Sequence, residues 1–226
     1  MASRWTGAVL QDSLAVRPGE RVLVLADGPL AVAAQALAEA ARDLGAAGAE
    51  ARLLPEPGRL QLVPRWVGEA VASADVIVSL RATLRLAAED PVMRSALNAF
   101  RRARRGRWVS MAQVDVSVLE TALAPGLAEA AARARALAAR LRAAAGVRLT
   151  APGGTDLQLT FAGRPVHADT GWVRQPGDFG NLPAGEAYVA PDETGAEGLL
   201  VVDVALGDIP LNRRATGRSS GAAWRR

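Results

Sequence analysis

The chain has 226 residues, 50% of them hydrophobic but only 4% aromatic, and it contains no cysteine. Disulfides and thiolate metal sites are thereby excluded, and alanine-rich helices packed in α/β layers are favoured over an aromatic-rich β-sandwich. The net charge of +4 is local: Leu211–Arg226 holds Arg213, Arg214, Arg218, Arg225 and Arg226 with no acid, which leaves residues 1–210 at −1, so no nucleic-acid partner is expected.

All 27 basic residues are arginine, a bias that accompanies the alanine excess and carries no functional weight. Apolar runs are broken by Arg, Asp, Glu or Pro before they reach membrane-spanning length, so no membrane partner is expected. The first ten residues lack a basic stretch followed by an apolar run, and a cytoplasmic protein is expected.

In chain order, Arg21-Val-Leu-Val-Leu-Ala26 is a short apolar run between the turn signals Arg17-Pro-Gly-Glu20 and Asp27-Gly28-Pro29. Such runs suit a strand buried on both faces. A helix is predicted over 30–44, ending at Gly45, and a second strand over 51–54, stopped by Pro55 and Pro57. A short helix follows at 64–72, then a strand at 75–80, a helix from Pro91 to Arg105 and a strand at 107–111. Proline is tolerated in a first helical turn. The last helix of this half starts near Pro125 and stops at Gly146. This alternation predicts βαβ crossovers on a mostly parallel sheet.

The pattern changes at Val147. Residues 147–150 and 156–161 flank the turn Ala151-Pro-Gly-Gly154 and read as a hairpin, with Leu157, Leu159 and Phe161 on one face. Strands follow at 165–167, 187–190 and 198–206. The expected fold is α/β: an N-terminal mostly parallel sheet with flanking helices over 1–146, then an incomplete antiparallel β-rich domain over 147–210. Residues 211–226 read as a basic tail without periodicity, outside the domain.

Several motifs bear on chemistry. The turn after the first strand lacks the glycine spacing of a dinucleotide-binding loop, and a chain without lysine has no phosphate-loop lysine. Arg101-Arg-Ala-Arg-Arg-Gly-Arg107 reads as a solvated helix C-terminus, where cations offset the helix dipole. Asp169-Thr170-Gly171 spells the aspartic-protease triplet, but it occurs once where those enzymes need two, and a turn explains it better. His167 is the only histidine, so a metal site would need several carboxylates to complete its donors.

Asn181, Pro183 and Gly185 shape a tight loop that delivers Glu186 to the start of a strand. A carboxylate fixed there suits a metal ligand or general base, and an ordinary exposed turn suits the sequence equally well.

Four segments, Val16-Arg-Pro-Gly-Glu-Arg-Val-Leu-Val24, Ala74-Asp-Val-Ile-Val78, Leu149-Thr-Ala-Pro-Gly-Gly-Thr-Asp-Leu157 and Gly180-Asn-Leu-Pro-Ala-Gly-Glu186 with Val189-Ala-Pro191, resemble the aminopeptidase T family of metallo-aminopeptidases. The resemblance takes in the related branch that includes a mononuclear-iron dihydroxypyridine ring-cleaving dioxygenase, and it spans roughly residues 5–209. It implies a metal-holding β-rich domain and a hydrolase that releases N-terminal amino acids from peptides, with Glu186 as the earliest metal ligand. The implied cofactor is a divalent metal, cobalt, zinc or magnesium, or iron(II) on the dioxygenase branch. The implied substrate is a small peptide, or a hydroxylated pyridine on that branch, and a homodimer is the candidate assembly.

The aminopeptidases carry a glutamate where this sequence has Gly185, a departure that leans toward the dioxygenase branch. The remaining ligands lie downstream in the family, so the chain is expected to be truncated or frame-shifted after about Pro210, to lack most metal ligands, and to serve alternatively as an inactive scaffold or assembly module. No catalytic residue is assigned.

Overall fold

The computed structural model of the chain describes residues 3–55, 64–82, 91–123, 126–206, 209–221 and 224–225. Pro57, Pro125 and Arg226, read above as a strand stop, a helix start and part of the tail, lie outside the described residues.

The chain opens with a helical segment, α1 (Arg4–Gly7), continued by a wider π-type turn at Ala8–Ser13. Then come β1 (Arg21–Ala26), α2 (Ala31–Asp43), β2 (Gly48–Leu53), α3 (Arg65–Ser73), β3 (Val76–Arg81), α4 (Pro91–Ala103), β4 (Arg107–Ala112), α5 (Val116–Ala122) and α6 (Leu127–Arg142). Short strands follow: β5 (Gly146–Thr150), β6 (Asp156–Thr160), β7 (Val166–Asp169), β8 (Phe179–Asn181), β9 (Glu186–Val189), β10 (Ala196–Val202), β11 (Ala205–Leu206), β12 (Ile209–Pro210), β13 (Ala215–Gly221) and β14 (Trp224–Arg225).

The fold is mixed α/β, as the sequence predicts. Five strands form one sheet in the order β2-β1-β3-β4-β8, and every neighbouring pair in it is parallel. Successive residues of the central strands bury to opposite faces. Val22, Val24, Val76, Val78, Val109 and Met111 pack into one core with α2 and the N-terminal helical segment. Leu23, Leu25, Ile77 and Trp108 pack into the other with α3 and α4. Burial on both faces is why these strands read as unbroken apolar runs.

Contacts divide the chain into two compact units, residues 1–131 with 169–185, and residues 132–168 with 186–226. In the second unit, β5, β6, β10, β13 and β14 make an antiparallel sheet in the order β14-β13-β10-β6-β5. Leu157 and Ala196 are its buried positions on β6 and β10. β11 pairs with β12, and β7 with β9, as separate two-stranded sheets.

Several elements differ from expectation. β2 begins at Gly48 rather than residue 51, because it pairs in register with β1 from Arg21↔Gly48 onward. The expected strand over 198–206 breaks into β10 and β11 at Asp203 and Val204. The segment read as a patternless tail contributes β13, seven residues paired with β10. Its inward-facing positions include Gly217 and Ser219, too small and polar to register as a hydrophobic alternation; Ser219 is buried and donates its hydroxyl to Ala196 O at 2.8 Å. Phe179-Gly-Asn181 adds β8 to the first sheet beside β4, and a three-residue strand has no period to detect.

Among the described residues, two buried ion pairs brace the first unit. Arg107 donates Nη1 and Nη2 to the two carboxylate oxygens of Glu20, at 2.9 and 2.7 Å, and Nε to Leu14 O at 3.0 Å. Asp27 and Arg81, at the C-terminal ends of the adjacent β1 and β3, are both buried. Their Oδ1 and Nε lie 2.9 Å apart without the alignment of a hydrogen bond, while Asp27 Oδ2 accepts from Ala82 N at 2.9 Å.

Candidate functional site

The motif residues lie on the segment that runs from β8 through β9. Leu182 is buried and donates its N–H to Ser110 O at 2.9 Å, which ties the loop to β4. At Gly180 an added Cβ would stand 2.7 Å from Val173 Cγ2, too close for a side chain. The Leu182–Pro183 peptide bond is cis. Gly185 has φ +129°, and a Cβ there would lie 3.1 Å from Ala130 Cβ, so a larger residue would be strained by the backbone and crowded by its neighbour. Its N–H donates to Asp169 O at 3.0 Å.

Glu186 then opens β9 as an exposed residue. Along β9, Glu186 and Tyr188 point to the same side, because side chains alternate along a strand. Tyr188 is half exposed and stacks on the ring of His167 from β7, with centroids 5.0 Å apart and an interplanar angle of 21°. The single histidine is thus an exposed residue resting on an aromatic face. The pairing of β7 with β9 brings these two residues together; nothing in the sequence pattern forecasts that stack.

Asp169 forms a turn, as expected. Its Oδ1 accepts from Gly171 N at 3.3 Å, and its Oδ2 from Asn181 Nδ2 at 3.5 Å. The Thr170 hydroxyl accepts from Trp172 N at 3.3 Å.

Among the described residues, no three His, Cys, Asp or Glu side chains converge so as to hold a metal ion. A mononuclear iron site of the two-histidine, one-carboxylate type needs two imidazoles, and the chain supplies one. A two-metal site needs still more donors. The described residues do not fit a complete metal centre of either type. Two cavities, about 360 Å³ beside β1 and β2 and about 500 Å³ at the end of α4, include none of Glu186, His167 and Tyr188. No described helix is long and apolar enough to cross a membrane.

The family model described as NicX, 2,5-dihydroxypyridine 5,6-dioxygenase, matches residues 7–216. Among solved structures, the 2,5-dihydroxypyridine dioxygenase of Pseudomonas putida KT2440 is similar, with a TM-score of 0.66 and 20% identity, over 96% of this chain and 65% of that one. Wild-type AmpT from Thermus thermophilus is similar with a TM-score of 0.63 and 19% identity, over 98% of this chain and 70% of that one. Comparison with curated protein sequences gives no match. At these identities the two structures show a shared fold, and the chain spans about two thirds of the length of each. Both branches of the resemblance read from the motifs are present among these relatives.

Proposed function

Because this chain belongs to the family described as NicX, 2,5-dihydroxypyridine 5,6-dioxygenase, we propose that it serves a metal-dependent, ring-cleaving dioxygenase reaction on hydroxylated pyridines. The observation that carries this reading is the family match over residues 7–216. Release of N-terminal amino acids from peptides, the first reading of the motifs, is supported only by likeness of fold to AmpT. Gly185 leans in the same direction: its φ of +129° strains any side chain at that position, and a Cβ there would meet Ala130 Cβ at a tight 3.1 Å.

Iron(II), rather than cobalt, zinc or magnesium, is the metal that this reading calls for. Glu186 remains the carboxylate proposed to contribute to the centre, with further donors supplied from outside the described residues. Exposed at the start of a strand, it meets the requirement that a ligand be set by a regular element.

The test uses the 226-residue chain with iron(II), offered 2,5-dihydroxypyridine under air and, separately, aminoacyl anilides. Ring consumption with oxygen uptake, or saturable binding of the pyridine without turnover, supports the proposal. Hydrolysis of the anilides alone, or no binding of either compound, overturns it.

A further inference from the structure

The N-terminal helical segment ends on three carbonyls, each taken by a donor from far along the chain. Leu14 O accepts from Arg107 Nε at 3.0 Å, Ser13 O from Val173 N–H at 3.1 Å, and Asp12 O from Arg174 Nε at 3.1 Å. Carbonyls at a helix C-terminus have no partner within the helix, so capping accounts for these contacts. It does not account for the Ser13 side chain. A serine in a helix can satisfy its hydroxyl on the carbonyl four residues back. Ser13, fully buried, instead donates its hydroxyl to Gly171 O, 158 positions away.

Gly171 passes that hold onward. Its N–H donates to Asp169 Oδ1 at 3.3 Å. A Cβ on Gly171 would stand 2.9 Å from both Ala184 Cβ and Leu182 Cδ2, so the turn lies directly against the loop that runs to Gly185. Asp169 O in turn accepts from Gly185 N–H at 3.0 Å. A continuous path of hydrogen bonds thus joins the Ser13 hydroxyl, Gly171, Asp169 and Gly185, all within the first unit. Gly185 is the last residue of that unit, and Glu186 follows it in the chain. The other anchors of the loop, the pairing of β8 with β4 and the Leu182 N–H to Ser110 O, end at Leu182.

We infer that Ser13 is a positioning residue for Glu186: through Gly171 and Asp169 it fixes the backbone of Gly185, and with it the point at which the strand carrying Glu186 begins. The functional weight of this inference rests on the role proposed above for Glu186; the positioning itself does not. A path of contacts becomes a coupling only when breaking one link changes the far end. Amide exchange reads such a change locally, because a lost local contact speeds the amides it holds and leaves the core at its global rate.

The test is hydrogen exchange by NMR on the full chain. The variants are Ser13→Ala, which removes the buried donor, and Asp169→Ala, which breaks the next link at a half-buried position and serves if the first does not fold. Gly185 is the reporter amide, and Asp27, whose N–H donates to Leu80 O between β1 and β3, is the reference for global opening. Exchange at Gly185 is expected to rise about tenfold relative to Asp27 in each variant, the weight of one net hydrogen bond. Unchanged exchange at Gly185, or the same rise at both amides, overturns the inference. Titration of 2,5-dihydroxypyridine into the same variants with iron(II) adds the functional readout, with Glu186→Ala alongside. Binding weakened in all three variants supports the inference, and binding weakened by Glu186→Ala alone overturns it. Faster exchange at Gly185 with binding untouched by Glu186→Ala upholds the positioning and removes the proposed role of Glu186.

Discussion

Arg107 and Glu20, 87 positions apart, meet in a two-point fork that joins the first residue of β4 to the turn before β1. Burial alone would push the Glu20 carboxyl up. The Arg107 hydrogen bond, the Arg17 backbone N–H and the charges of both guanidinium groups outweigh it and hold the carboxyl below its ordinary value. A carboxylate whose folded pKa is depressed contributes stability that is fully present above the unfolded pKa and is lost as pH falls through the folded one. Acid unfolding is therefore expected to steepen below about pH 4.5, the unfolded-state range of a glutamate. Glu20→Gln should flatten that part of the profile, as read by denaturant midpoints from pH 3 to 7.

The same pair makes a stability prediction. Removing the acid alone leaves the Arg107 side chain, only 4% exposed, without its counter-charge. Glu20→Ala is expected to cost about 3 kcal/mol, the scale for breaking one side of a buried pair. Equilibrium denaturation in urea checks this, and a loss below about 0.5 kcal/mol, ordinary for surface changes, would show that the fork is dispensable.

Trp108 is fully buried and its indole N–H donates to Ser79 Oγ at 3.0 Å. Ser79→Ala removes the acceptor and strands that donor between two strands of the sheet. The expected cost is about 1–3 kcal/mol, measurable as a drop in thermal midpoint. Ser79→Thr, which keeps the oxygen but adds a methyl group in a closed core, should separate the polar loss from overpacking.

Gly185 offers a test of why this chain departs from the aminopeptidase pattern. With φ at +129° and Ala130 Cβ 3.1 Å from where a Cβ would sit, Gly185→Ala is expected to destabilise the chain by about 1–3 kcal/mol. Gly185→Glu should destabilise at least as much and should not confer hydrolysis of aminoacyl anilides. A stable, peptide-cleaving Gly185→Glu variant would return the aminopeptidase reading to first place.

Glu186 is exposed and begins a strand, so Glu186→Ala is expected to change stability by no more than about 0.5 kcal/mol. Under the proposed function the same change lowers metal affinity or pyridine binding. Titration with iron(II), cobalt and zinc beside a melting curve distinguishes these effects. Unchanged ligand binding would leave Glu186 an ordinary strand-opening residue.

Some of this architecture is plain in the sequence, and the reason is burial. β1, β3 and β4 are covered on both faces, so their aliphatic runs stand out from the surrounding polar residues. β8 and β13 are not legible that way. One is three residues long, and the other fills its inner face with small residues. The N-terminal helical segment, which buries Trp5, Val9 and Leu10, lies outside the predicted alternation of strands and helices. At the candidate site, the loop that delivers Glu186 can be read from Asn181, Pro183 and Gly185, because turn chemistry is local. The stack of His167 on Tyr188 depends on a strand pairing between distant residues, which local pattern does not encode.

The first unit takes its fifth strand from residues 179–181, after the chain has already passed through residues 132–168 of the second. On a ribosome, β1 to β4 emerge well before the strand that finishes their sheet. Until β8 is made, the β4 edge has no neighbour on that side, and unpaired strand edges are prone to mispairing. A cut at the end of α6 would leave that edge open permanently, so the two halves of the gene are not interchangeable cassettes.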